Sequence, residues 1–156
     1  MTIYLIGSLR NPKIPEIGNR LRAEGFDVFD DWFAAGEIAD DRWRDYERTR
    51  GRSYVEALNG LAADHVFQFD RTHLHRADLG VLVLPAGRSG FMEAGYLLGR
   101  GRPVYILLDD HERWDVMMKF ATGVYTDLED LVKGLQTPKP RYEPFCQYKW
   151  GPCPDR

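Results

Sequence analysis

The sequence predicts an α/β fold in which helices wind over both faces of one parallel sheet, and three observations predict it. Short apolar runs alternate with segments of helical periodicity along the 156 residues. One run, Leu79-Gly-Val-Leu-Val-Leu84, is apolar throughout, as a strand covered on both faces has to be. The first run ends on Gly7-Ser8, a tight turn of the kind that joins a strand to a helix.

Ile3-Tyr-Leu-Ile6 is the first strand. Pro12 or Pro15 suits the first turn of the helix that follows, whose stripe of Ile14, Ile17 and Leu21 stops at Gly25. Phe26-Asp-Val-Phe29 reads as the second strand. Asp40-Asp41 offer an N-cap and negative charge to a long helical segment with Trp43, Tyr46, Tyr54, Leu58 and Leu61 on it. Gly51 interrupts that segment, leaving one kinked helix or two. A short helical turn, Asp70 to Arg76, leads into the third strand at 79–84. The helix after it places Glu93 in its first turn and ends near Gly99-Arg-Gly101. Pro103 to Leu108 is the fourth strand, Glu112 to Ala121 a helix, and Gly123-Val-Tyr-Thr126 a small fifth strand. Thr126 or Asp127 caps a last helix through Leu135. Residues 1–136 are expected to form one domain, and 137–156 a Pro-rich tail lying as a strap over the surface or a partner. The simplest strand order is 2-1-3-4-5, a flavodoxin-like doubly wound sheet of five parallel strands.

Composition removes several function classes. A net charge of −3 and a pI near 5.8 give no footprint for duplex nucleic acid, although 42–52 is locally basic. The opening apolar run is too short for a signal peptide, and no run reaches membrane-spanning length. Cys146 and Cys153 read as reduced thiols of a cytoplasmic protein. His65, His73, His75 and His111 lack metal-ligand spacing and read as surface or local hydrogen-bonding residues; no metal and no cofactor is expected. Neither a P-loop nor Gly-x-Gly-x-x-Gly follows the first strand.

In the order 2-1-3-4-5 the chain reverses direction between strands 1 and 3. The turn at Gly7-Ser8 and the loop from Pro85 to Ser89 then face each other across the switch-point crevice, where ligands bind. A helical Cα–Cβ bond leans towards the N-terminus, so Glu93 points back into that crevice. Residue type alone leaves each assignment open. Glu93 also suits a helix dipole, Tyr4 a half-buried core, Asp70 a helix cap, Arg10 a solvated surface and Trp32 a core.

Three stretches narrow the choice together: Tyr4-Leu-Ile-Gly-Ser-Leu-Arg10; Asp70 with Leu74 and Ala77-Asp78; and Ser89 to Gly95 followed by Gly101-Arg-Pro-Val104. Their order and spacing resemble the nucleoside 2-deoxyribosyltransferase family, which includes the 2'-deoxynucleoside 5'-phosphate N-hydrolases, over most of Ile3 to Leu135. The resemblance implies a nucleoside or nucleotide substrate and a double displacement on its sugar. Glu93 would attack the anomeric carbon, with Tyr4 orienting it and Asp70 positioning the sugar and protonating the departing base. Gly7, Ser8, Ser89 and Gly90 would hold sugar or phosphate oxygens. The segment 31–54 is longer than in the small hydrolases, and Trp32 or Trp43 on it offers a ring to stack on the base. Arg10, in the pattern Gly7-Ser8-Leu9-Arg10 of the nucleotide hydrolases, would clamp a 5'-phosphate.

Two departures from the transferases bear on the acceptor. Gly87 or a neighbour stands where they carry a further Asp before the nucleophile, and Met117 and Met118 stand where a neighbouring subunit supplies an Asn. A homo-oligomer that hydrolyses better than it exchanges bases is therefore expected. Base exchange and non-catalytic nucleotide binding remain the alternatives.

Overall fold

The computed structural model describes residues 1–109 and 114–137. Strands β1 (Thr2–Ile6), β2 (Asp27–Phe29), β3 (Leu79–Val83), β4 (Val104–Leu107) and β5 (Gly123–Tyr125) form one sheet. All pairings are parallel and the order is β2-β1-β3-β4-β5, the flavodoxin-like arrangement expected. β3 sits at the centre and is buried along its whole length, which explains why it reads as unbroken apolar sequence.

Alternation along β1 divides the core in two. Ile3 and Leu5 pack with Val81, Val83, Tyr105 and Leu107 beneath helices α1 (Ile14–Ala23) and α6 (Leu128–Gln136). Tyr4 and Ile6 face the other way, packing with Phe29, Leu82, Val104 and Ile106 beneath α4 (Leu61–Arg76) and α5 (Arg88–Gly99). Each fully buried aliphatic side chain contributes about 2 kcal/mol, so both layers hold the sheet firmly. Pro15 lies in the first turn of α1, and Gly25, with φ of 84°, supplies the left-handed residue that ends it. Asp127 caps α6 by accepting from the N–H groups of Glu129 and Asp130 at 2.8 and 3.1 Å.

The largest differences from expectation lie between β2 and β3. A 3-10 turn (Asp31–Ala35) leads to three helices, α2 (Ala39–Thr49), α3 (Tyr54–Leu58) and α4, instead of one kinked helix or two and a short turn at Asp70. Gly51, with φ of 71°, breaks the chain, and a capping box between Ser53 and Glu56 restarts it. α4 is 16 residues long and buries only Leu74, while Leu61, Val66 and Phe67 are exposed. Without an apolar stripe, periodicity had nothing to register. Asp40 and Asp41 do not cap α2; its N-cap is Ile38, and Asp41 is occupied by arginines.

Helix 112–121 is also shorter than expected. Val116–Phe120 is a 3-10 turn, opened by the Asp115 carboxylate accepting from the Met117 N–H at 3.0 Å. Glu112 and His111 fall outside the described residues, as do the tail from residue 138 and with it Cys146 and Cys153. Among the described residues no helix is long and apolar enough to cross a membrane.

Candidate active site

The crevice opens at the carboxyl ends of β1 and β3. Gly90 brings α5 against them: a Cβ there would meet Ala86, Ile6 and Leu82 at 3.2 to 3.4 Å, tighter than neighbouring side chains usually tolerate. That contact fixes the start of α5 at Arg88, so Glu93 falls in the second turn and not in the first as expected. Gly90 is therefore a helix residue and no capping box joins it to Glu93.

From that position Glu93 is half-buried close to Asp70 of α4 and Tyr4 of β1. Burial, reinforced by the field of Asp70, pushes the Glu93 carboxyl up to about 7. Asp70 is raised by its own burial, against an opposing pull from His73. One of its oxygens, Oδ1, is buried with no hydrogen-bond partner among the described residues. Tyr4 is pushed far above the ordinary phenol range, first by burial and then by the two carboxylates. The three groups thus share one low-dielectric site. Tyr4 and Glu93 interact through space, with no direct hydrogen bond between them.

Such a site can do two things. It can keep a carboxylate poorly solvated and therefore nucleophilic, and it can hold a proton on a carboxylic acid near neutral pH.

The loop after β1 is pinned by Asn11, which is only 3% exposed and was not legible as a site residue. Its amide donates to the Leu84 carbonyl at 3.4 Å, tying the loop to the end of β3, and its Oδ1 accepts from the Lys13 N–H. The Asn-Pro step at 11–12 was the available signal; only its proline was read, as a candidate for the first turn of the helix. Ser8 Oγ accepts from the Arg10 N–H at 3.2 Å. Since α1 begins only at Ile14, Gly7 and Ser8 lie in this loop and not directly at a helix start. Ser89, by contrast, is exposed in the first turn of α5.

Arg10 and Trp32 both have partners. The Arg10 guanidinium, 66% exposed, meets the Asp41 carboxylate at 2.8 Å, and Asp41 also binds Arg44 at 2.8 Å. Trp32 donates its indole N–H to the Leu5 carbonyl at 2.8 Å and packs against both cores, beside Gly7. Trp43 packs edge-on to Tyr54 instead, with centroids 6.3 Å apart.

His73 is the clearest correction among the histidines. It is not a surface residue: its ring lies flat on Phe29 at 3.9 Å, half-buried. On the far side of α5 a cleft of about 570 Å³ is lined by Phe91, Ala94, Leu98, Met117, Met118 and Phe120, so the methionine pair borders an apolar hollow separate from the carboxylates. No group of three or more metal-ligating side chains is assembled among the described residues.

No protein-family model and no curated protein matches the sequence. Solved structures do match the fold. The CMP N-glycosidase of Clostridium botulinum is similar with a TM-score of 0.54 and 12% identity, over 88% of this chain and 100% of its own. A 2-deoxyribosyltransferase from Bacillus psychrosaccharolyticus gives 0.57 and 18%, over 85% and 90%. A conserved protein from Enterococcus faecalis V583 gives 0.58 and 14%, over 87% and 97%. At these identities the likeness is one of fold, and the fold is shared with an N-glycosidase and a 2-deoxyribosyltransferase.

Proposed function

We propose that this protein belongs with the nucleoside 2-deoxyribosyltransferases and N-hydrolases and cleaves the N-glycosidic bond of a (2'-deoxy)nucleoside 5'-monophosphate, releasing the free base. The observation that carries this reading is the half-buried pair Glu93 and Asp70 beside Tyr4 at the switch-point crevice. The Glu93 carboxylate attacks the anomeric carbon as the bond to the base breaks. Its electron pair leaves with the base nitrogen, which takes the proton from Asp70. A glycosyl ester on Glu93 results. Water then attacks the same carbon, Asp70 accepts its proton, and the carboxylate is released with overall retention. Motif spacing supports the roles, and so does the name of one structural neighbour, an N-glycosidase acting on CMP.

Incubation with a panel of nucleosides and their monophosphates, with and without a second free base, separates the readings. Release of base from a monophosphate is expected. A new nucleoside formed with the added base identifies a transferase instead, and binding without product a sensor.

Arg10 supplies the phosphate contact in this scheme by exchanging its Asp41 partner for the ligand. Arg10→Ala is expected to lower kcat/KM for monophosphates by about 10- to 100-fold, as charge-assisted hydrogen bonds of about 1.5–3 kcal/mol are lost. Free nucleosides should be hardly affected. Equal losses on both substrates would remove the phosphate assignment.

A second subunit completes the proposal. Phe91, Met92, Met117 and Phe120 are exposed around the apolar cleft, more apolar surface than a lone small domain usually presents. Methionine there cannot donate the hydrogen bonds that would hold an incoming base, so water captures the ester. Light scattering should give at least a dimer at micromolar concentration; a monomer, or efficient capture by added base, contradicts this.

A further inference from the structure

Four rings lock together behind the carboxylates. Phe29 of β2 contacts Tyr4 of β1 with centroids 5.1 Å apart and Phe69 of α4 at 5.7 Å. His73 lies parallel to Phe29, at 3.9 Å and 5°, and also meets Phe69 at 4.9 Å. Asp70 stands between Phe69 and His73 on the same helix, which places the two α4 rings on either side of it in the chain. Its buried Oδ1 has no hydrogen bond to hold it. The carboxylate is therefore placed by the helix backbone, and the rings dock that part of the helix onto β1 and β2.

The titratable groups facing Asp70 are few. Tyr4 approaches from β1, Glu93 from α5, and His73 lies one turn along α4 itself. Phe29, from β2, brings no charge. Among the described residues His73 is the basic group that faces Asp70. Nearby Arg71 turns away, its guanidinium over Phe67 at 5.8 Å.

We propose that His73 is a positioning residue for the reaction: its ring, stacked flat on Phe29 one turn along α4 from Asp70, holds that carboxylate in the site and stands beside it as its basic neighbour. The proposal rests on the glycosidase reading for its kinetic consequence but not for its geometric one. A positive charge on His73 favours the ionised form of Asp70, so that carboxyl loses its proton at lower pH than burial alone would dictate.

His73→Phe keeps an aromatic ring on Phe29 and removes the charge, whereas His73→Ala removes both. His73→Phe is expected to retain kcat within a few-fold at high pH. Its alkaline limb in kcat/KM should move upwards, because Asp70, the proton donor of the scheme, holds its proton to higher pH once the charge of His73 is gone. His73→Ala should show the same displacement together with a kcat lowered about tenfold or more, as misplacement of a catalytic group implies. Carboxyl ¹³C NMR titration of Asp70 and Glu93 reads the charge effect without any substrate. Upward-shifted midpoints in both variants are expected there even if no nucleotide is turned over, an outcome that would sink the glycosidase reading alone. Wild-type midpoints in His73→Phe would overturn the electrostatic role, and wild-type kcat in His73→Ala the positioning role.

Discussion

Glu93→Ala is expected to abolish base release from the monophosphate, lowering turnover by about three orders of magnitude or more, with the fold retained. Loss of the nucleophile removes the covalent route altogether, and the remaining groups can only orient substrate and donate a proton. The fold should survive because Glu93 makes no side-chain hydrogen bond or ion pair among the described residues, and because its neighbours Gly90, Ala94 and Leu97 carry the packing of α5. Circular dichroism and a thermal melt check the fold, and chromatography of released base checks the activity. Turnover within tenfold of wild type would mean that another group attacks the sugar.

The second large effect concerns stability. The Glu93 carboxyl, ordinarily near 4.5, is pushed up to about 7 in the folded protein. The native state therefore holds a proton that the unfolded chain has already released, and stability falls as pH rises from 4.5 through 7. A difference of about 2.5 pH units corresponds to about 3 kcal/mol at pH 8. Glu93→Gln removes the cost of burying that charge. Its melting temperature should exceed wild type by roughly 6 to 12 °C at pH 8 and match it near pH 4.5. Parallel melts at the two pH values decide the matter; an equal response of both proteins would show that Glu93 ionises freely. The same titration requires activity to rise with pH through about 7, since only the ionised carboxylate attacks.

Much of this was legible because the sheet is simple. β3 is apolar at every position because both its faces are covered, and that alone predicts a central parallel strand. Glu93 was placed near the right spot from its distance to β3, but one turn too early. The start of α5 is fixed by the close approach of Gly90 to Ile6 and Leu82, a three-dimensional contact with no local signature. α4 was under-read for the opposite reason: its aromatic residues Phe67 and Phe69 are largely exposed, so no stripe marks its length. His73 has no metal-ligand spacing and was set aside, because its partner Phe29 lies 44 positions away. The Arg10 to Asp41 pairing was hidden likewise, since a charge in a turn does not announce which helix will answer it.

The order of the strands also dictates when the carboxylate site is assembled during synthesis of the chain. β1 is made first, yet it is bracketed by β2 and β3, and the Thr2 N–H finds its acceptor in Asp78, 76 residues later. Until β3 emerges, Ile3, Leu5 and their neighbours on β1 present an unpaired apolar edge, the stage most exposed to aggregation. A nascent chain that has made Tyr4 and Asp70 still lacks the second carboxylate of the crevice, because Glu93 arrives only with the helix that follows β3. The carboxylate pair is thus complete before the sheet is, since β4 and β5 are made after α5, and a chain truncated before α5 lacks both the helix that covers β3 and the pair itself.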